Sequence, residues 1–553
     1  MNNRRYAIVG IALRAPGGIT DPDGLRAALH AGAVLIEPPP PERRGTAMPS
    51  ARDVVPVGGF LRDVLDFDAR FFGISPREAR VMDPQQRLLL EVVWEAFEDA
   101  ALRPGDTPGT GVFVGISGLD YRRWFDGAPS AHWTAGNGLS FAAGRISYLL
   151  GFHGPSFAVD TACSSSLVAL YTACRALDAG DCEQAVVGGV NLLLSPWTTV
   201  ALQRTGALSA SGRSLPLDHR ADGYVRAEGC AAIVVKPLTD ATRAGDRVLA
   251  VIEGIGVNHD GATPTLAAPN PDAQAALLSR VLAAAELEPG AIGYHETHGT
   301  GTRLGDDSEL RALVRVHRDR GGTPLYLGSI KANIGHAEAA SGLLGIAKLV
   351  VGVRDRILFP QPGFERFPTG AVPEEVPLRV CREPTPWTEV FGASEPRLSI
   401  SSFGMSGTNV CAVLSPGPRA RPPEVSRAVS GFAVTAADAA ALQEVSARYR
   451  LRLREAADGE YPAFARAATH GRSRLRHTAW IAAATRAEAV EALEALAEGR
   501  THPRVRVLAA GEPYPVREVS TRPVYPLPLY PWRRGTFAVE RTTESGSTQG
   551  PAQ

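Results

Sequence analysis

Neither sign of charge is in excess in this chain: 58 basic residues stand against 58 acidic ones, for a formal net charge of zero. That balance removes the electrostatic footprint of a nucleic-acid or anionic-membrane binder, so neither nucleic acid nor a membrane is expected as a partner. Long apolar runs are missing too. No stretch approaches the ~20 apolar residues of a membrane span, and the apolar run near Met1 is too short for a signal peptide. The expectation is a soluble, cytoplasmic protein. Cysteine is scarce and scattered: Cys163, Cys174, Cys182, Cys230, Cys381 and Cys411 form no C-x-x-C pair. Neither a zinc site nor a disulfide framework is indicated, and no metal is expected.

What is present is size and a covered α/β pattern. The 553 residues suffice for one large domain with appendages or for two to three domains. Buried strands are expected at residues 6–12, 112–116, 184–194, 230–236, 248–253, 292–297 and 325–330, with helices at 84–97, 272–285, 307–316 and 336–353. Ser75 is a good N-cap before Pro76. Strands rich in Val, Ile and Ala alternating with helices argue for an α/β protein with largely covered sheets. Residues 397–403 and 409–414 close this region as a hairpin around Gly404-Met-Ser-Gly407. A Pro-rich linker at 415–423 precedes a small α/β appendage, with helices at 436–455 and 486–498 flanking a strand near 479–483. Pro523 to Trp532 cannot be a central strand and is expected to run extended, its aromatics as anchors. Residues 541–553 are polar and expected to be disordered.

The chain is organised around Ser156-Phe-Ala-Val-Asp-Thr-Ala-Cys163-Ser-Ser-Ser-Leu-Val-Ala-Leu170, which reads as a short apolar strand, a tight turn and a helix opening on Cys163. A helix start offers unpaired N–H groups and a favourable dipole, which would lower the thiol pKa below its free value of about 8.5. The same N–H groups could hold the oxyanion formed when a thioester on Cys163 is attacked. The bland alternative is a buried small hydrophobe. Two histidines stand at strand ends among glycines and small polar residues, in His298-Gly-Thr-Gly-Thr302 and Lys331-Ala-Asn-Ile-Gly-His336-Ala-Glu338. A third strand-end loop, Ser401-Ser-Phe-Gly-Met-Ser-Gly-Thr-Asn409, is suited to presenting backbone N–H groups. One cysteine and two histidines make acyl transfer through a covalent thioester the natural hypothesis.

With Val159-Asp-Thr-Ala-Cys-Ser-Ser-Ser166, Ala221-Asp-Gly-Tyr-Val-Arg-Ala-Glu-Gly229, Ala142-Ala-Gly-Arg-Ile-Ser-Tyr-Leu-Leu-Gly151 and the three loops above, the chain resembles the β-ketoacyl synthases, specifically the ketosynthases of modular polyketide synthases. The likeness runs from about Tyr6 to Leu414 and continues more weakly beyond. It implies a thiolase-like five-layer αβαβα fold at residues 1–415, assembling as a homodimer. A small α/β flanking domain at 416–510 and an extended tail at 511–540, packing back on the ketosynthase, would follow. The same resemblance implies that Cys163 takes an acyl chain from one carrier protein's phosphopantetheine, and that the enolate of a decarboxylating malonyl-type unit on a second carrier attacks it. His298 and His336 would assist decarboxylation and hold the enolate oxygen. Lys331 and Glu338 would orient and polarise the histidines. The oxyanion hole and gate would come from Cys163, Phe403 and Gly404, and Thr300 and Thr302 would touch the pantetheine arm. No cofactor would be bound by the chain itself.

No Gly-His-Ser-x-Gly element of an acyltransferase and no serine site of a carrier domain is found, and the chain begins almost directly on its first strand. The expectation is a discrete ketosynthase served in trans by acyl carrier proteins and a separate acyltransferase. Val410-Cys411, Arg303, Ala337 and Leu215-Pro-Leu-Asp218 depart from the family's common residues. Two other readings compete: acyl transfer from Cys163 without condensation, and a non-catalytic ketosynthase-like partner.

Overall fold

Runs of Val, Ile and Ala without polar alternation make strands covered on both faces, and among the described residues such strands form the middle of one mixed sheet of eleven. The computed structural model describes residues 5–41, 57–125, 129–320, 323–374, 376–418, 429–516 and 525–539. Its strands are β1 (Tyr6–Arg14), β2 (Thr110–Gly115), β3 (Ser156–Val159), β4 (Gln184–Asn191), β5 (Gly229–Pro237) and β6 (Ala250–His259). They continue with β7 (Tyr294–Glu296), β8 (Leu325–Gly328), β9 (Leu378–Val380), β10 (Leu398–Phe403) and β11 (Thr408–Pro416).

The order across the sheet, β9-β8-β7-β10-β11-β6-β1-β5-β4-β2-β3, contains a repeat. Outward from the centre, β1-β5-β4-β2-β3 in one half matches β6-β11-β10-β7-β8 in the other. Each half pairs antiparallel, antiparallel, parallel, parallel. The halves join where β1 runs antiparallel to β6, Tyr6 opposite Ile252. Matched strands β3 and β8 therefore lead into matched loops, one carrying Cys163 and the other His336.

Among the described residues, the longer helices that cover the sheet are α1 (Pro84–Asp99), α2 (Ser140–Leu150), α3 (Ser165–Ala179), α4 (Pro271–Ala284), α5 (Arg303–His317) and α6 (Ser341–Asp355). Alternate residues of each strand enter different cores, as a period of two requires. Val112 and Val114 of β2 pack with α1 and α2, whereas Phe113 joins Leu167 and Leu170 of α3 and Leu343 and Ile346 of α6. On β11, Val410 and Ala412 face that same middle core, and Cys411 and Val413 face α4 and α5. The result is five layers with α3 and α6 innermost, the thiolase-like arrangement expected from the sequence.

The helix expected at 336–353 begins at Ser341 instead. Gly335 (φ 80°) and Glu338 (φ 43°) leave helical space, so His336 sits in an irregular loop where its N–H donates to the Val225 carbonyl at 2.7 Å. The small appendage is richer than its sequence suggests. It has three antiparallel strands, β12 (Phe432–Ala436), β13 (His477–Ile481) and β14 (Val505–Leu508), and three helices, α7 (Ala439–Glu455), α8 (Tyr461–His470) and α9 (Arg486–Ala497). β12, α8 and β14 had no expectation. β14 is a four-residue edge strand, Val-Arg-Val-Leu, in which Val507 is exposed and only Leu508 is buried, so its burial does not follow the sequence pattern.

From Tyr525 the chain runs extended across α1. Tyr530 and Trp532 pack with Phe71, at ring-centroid distances of 4.8 and 4.9 Å. Gly535–Thr536 pairs with Asp66–Phe67. Residues 419–423 of the expected linker and the end expected to be disordered at 541–553 lie outside the described residues.

Candidate active site

Cys163 lies beyond the end of β3, in a single 3-10 turn, Ala162–Ser164, just before α3. It does not open the α-helix as expected. The turn is strained: Ala162 has φ 56°, held by its N–H donating to Asp160 Oδ1 (3.0 Å) and by Ser165 Oγ donating to its carbonyl (2.6 Å). Such strain persists only where the surroundings over-determine it. Ser402 on β10 and Ser341 at the start of α6 supply that, both hydroxyls donating to the Cys163 carbonyl, at 3.0 and 3.3 Å. Gly404 lies so close that a Cβ there would run into the Thr161 carbonyl oxygen.

His298 follows β7 in a loop held by two acids of α5. Glu309 accepts the N–H groups of His298 and Gly299, both at 2.8 Å. Asp306 accepts those of Thr300 and Gly301, both at 3.1 Å. These acids carry no reagent role; they aim the loop. His336 Nδ1 accepts the Glu338 N–H at 3.2 Å, so the proton of the neutral ring is on Nε2, which has no partner among the described residues. The two imidazoles meet edge to face at 5.5 Å, with Phe403 5.5 Å from His298 and Tyr224 5.1 Å from His336. Cys163, His298, His336, Phe403, Gly404, Thr300 and Thr302 all line one cavity of about 740 Å³. The sulfur and the two imidazoles, remote in sequence, converge.

Lys331 and Glu338 stand behind this wall. The Lys331 ammonium helps push both histidines well below their ordinary pKa, with burial the larger cause. Both rings are neutral at pH 7. Lys331 itself is lowered by burial, against the pull of Glu296, Glu309 and Cys163. The Glu338 carboxylate does not meet the histidines as expected. It forms a two-pronged pair with Arg226, at 2.6 and 2.8 Å, and orients His336 through its backbone N–H instead. Arg226 lies in a motif noted in the sequence but carried no assignment there; nothing local marks a pair so far apart in the chain.

The thiol expectation is reversed. Burial, followed by the Glu338 charge, pushes Cys163 up to about 12, against Lys331 and two backbone N–H groups. Those amides belong to Cys163 itself and Met405, rather than to Phe403 or Gly404. The Gly404 N–H is committed to the Thr408 carbonyl at 2.8 Å and cannot serve. Phe403 contributes a ring against His298, and Met405 brings a second N–H to the sulfur.

A family model described as β-ketoacyl synthase, N-terminal domain, matches residues 3–241, and one described as β-ketoacyl synthase, C-terminal domain, matches residues 249–365. This chain belongs to the β-ketoacyl synthase family. The ketosynthase is 42% identical over 527 residues to a phenolphthiocerol/phthiocerol polyketide synthase component of Mycobacterium tuberculosis, covering 91% of this chain and 28% of that protein. It is 41% identical to the spectinabilin polyketide synthase system protein NorA' of Streptomyces orinoci, covering 90% of this chain and 14% of that one. It therefore spans well under a third of the length of these curated relatives. Among solved structures, the oxazolomycin ketosynthase domain OzmH KS7 of Streptomyces albus superposes with a TM-score of 0.86 at 34% identity, over 97% of this chain and 98% of that one. The ketosynthase from module 6 of the Bacillus subtilis bacillaene synthase gives 0.81 at 31% identity, over 91% and 87%. Among the described residues no helix is long and apolar enough to cross a membrane.

Proposed function

We propose that this ketosynthase catalyses decarboxylative condensation between two carrier-bound thioesters in polyketide assembly. The observation that carries the reading is the single cavity lined by one thiol and two neutral imidazoles. Cys163 takes the acyl chain. Its thiol is protonated at rest, so the proton leaves as sulfur attacks, and a neutral imidazole is the base at hand. The tetrahedral oxyanion is held by the Cys163 and Met405 N–H groups, and as it collapses the first carrier's phosphopantetheine sulfur departs, taking back the proton held by the imidazole. A malonyl-type unit then enters past Thr300 and Thr302. Its carboxylate leaves as carbon dioxide, the electron pair passes to the enolate, and His336 Nε2–H donates to the enolate oxygen beside His298. The enolate carbon attacks the Cys163 thioester and the thiolate departs. Neutral donors suit this step because they stabilise developing charge without holding the starting carboxylate too tightly. Transfer without condensation would use one imidazole as base and leave the second without a task.

In this reading the carriers and an acyltransferase act in trans. Only residues 517–524 separate the small domain from the extended tail, which leaves no room for an acyltransferase between them. A homodimer is favoured by the edge strand β3, whose Phe157 is half exposed beside the exposed Tyr148 of α2. Incubation with acyl carrier and malonyl carrier tests the reading. Carbon dioxide release that depends on the acyl carrier, with a β-ketoacyl product on the second carrier, is expected; acyl exchange alone would overturn it.

A further inference from the structure

The turn that carries Met405 is held from outside by a residue with no assigned part. His259 is the last residue of β6, opposite Thr408 at the start of β11. Its ring lies over Gly407, which has φ +90° and whose absent Cβ would come within 2.7 Å of the imidazole carbon. Nδ1 accepts the Gly261 N–H at 2.9 Å, so the ring proton is on Nε2, which donates to the Ser406 carbonyl at 2.9 Å. The imidazole thus links β6 to the residue next to Met405. The side chain is exposed and fills no core. The neighbouring Asp260 adds a second tie, its N–H donating to the Gly407 carbonyl at 2.9 Å and its carboxylate accepting from Asn409 at 2.7 Å. Within the turn, Gly404 and Gly407 are bonded to Thr408 and to each other, both at 2.8 Å. Those bonds fix its two ends. The apex, Met405 and Ser406, is anchored through the Ser406 carbonyl.

We propose that His259 is a positioning residue for acyl loading: by holding the Ser406 carbonyl it keeps the apex of the turn where the Met405 N–H meets Cys163 and the oxyanion formed there. This rests on two parts of the proposed function, Cys163 as the acylated residue and the Met405 N–H as an oxyanion donor. The reason is geometric. An oxyanion donor works only if it is fixed before the charge develops, and a four-residue turn tied at its ends alone would leave its apex free to swing. Because the Met405 N–H also favours the thiolate, a loosened apex has a consequence that can be read without any carrier protein.

Three variants separate the parts of the argument. His259→Ala removes ring and bonds, His259→Phe keeps the cover over Gly407 without the bonds, and His259→Gln keeps an acceptor and a donor. Two rates are measured: alkylation of Cys163 by iodoacetamide across pH 7 to 10, and single-turnover loading from an acyl thioester at varied concentration. For His259→Ala and His259→Phe, alkylation is expected to slow and its pH profile to move upward. Their saturating loading rate should fall by about tenfold, below the loss from removing a donor outright, with half-saturation little changed. His259→Gln should recover most of both rates. Wild-type alkylation and loading in His259→Ala would overturn the proposal. So would equal losses in all three variants with a common fall in melting temperature, which is the mark of a general structural role. If wild-type protein is alkylated at Cys163 but never acylated, the proposed function fails while the alkylation comparison still stands.

Discussion

Two buried polar regions of this molecule meet the same physical problem and answer it in opposite ways. Along α1, Glu91, Glu95 and Glu98 form a stripe beneath the tail, each matched by a guanidinium. Arg534 lies 2.7 Å from Glu91, Arg14 2.5 Å from Glu95, and Arg472 3.6 Å from Glu98. Tyr530 N–H and Trp532 Nε1–H add 2.9 and 2.6 Å bonds to Glu98 and Glu95. In the cavity, Cys163, His298 and His336 have no such counter-charges and are driven to their neutral forms. Pairing offsets, without cancelling, the burial that raises the Glu91 and Glu98 carboxyls, and it locks segments together. Leaving groups unpaired and neutral keeps them available as acids, bases and nucleophiles.

The sharpest way to break this contrast is on the cavity side. Cys163→Ala should abolish the acyl mass shift on the Cys163 peptide, whereas an unchanged shift would remove Cys163 as the nucleophile. His298→Ala should still accept the acyl chain yet lose β-ketoacyl product by about 10²- to 10⁴-fold, the span ascribed to a positioned proton-transfer group. Undiminished product would refute its part in condensation. On the stripe the effect belongs to stability. Glu98→Ala leaves Arg472 buried without its partner and should cost roughly 3–5 kcal/mol in denaturant unfolding, with the alkylation rate of Cys163 unaltered.

That contrast was only half legible in the sequence. The strands were readable because both their faces are buried, and Ser75 caps its helix as read, accepting the Glu78 N–H at 3.2 Å. Cys163, His298 and His336 were readable because side-chain chemistry sits in strand-end motifs. Met405 was not, because its contribution is a backbone amide and every residue but proline has one. The Arg226–Glu338 pair spans 112 residues, and no local pattern marks it. The late start of α6 depends on a positive φ at Glu338, a residue with no compositional flag for it. The thiol's direction was missed because the helix-start argument weighs the dipole and leaves out desolvation, which here is the largest cause.

A pH series sharpens the comparison further. His298 and His336 lie well below the ordinary imidazole value, so condensation should show no acid limb from histidine protonation between pH 8 and 6. Lys331→Met deletes the cation that helps hold them down. Their pKa values then rise, with burial still holding them below the ordinary value of about 6.5, so the acid limb should stand at higher pH than in the wild type while remaining below that window. An unmoved profile would assign the depression to burial alone.

The finest test concerns the one carboxylate shared in spirit by both regions, Glu338, which is paired like the stripe yet close enough to act on the nucleophile. Its negative charge raises the Cys163 thiol. Glu338→Gln removes that charge while leaving the backbone N–H that orients His336, and it leaves the Arg226 cation unbalanced beside the site. Both changes favour thiolate, so the thiol pKa should fall and alkylation at pH 8 should quicken, by up to about tenfold for each unit of downward shift. Lys331→Met should act in the opposite direction on the same readout, since a cation that favours thiolate is lost. If the two variants shift alkylation the same way, local charge does not set the state of the sulfur, and packing around the strained turn at Ala162 must do so.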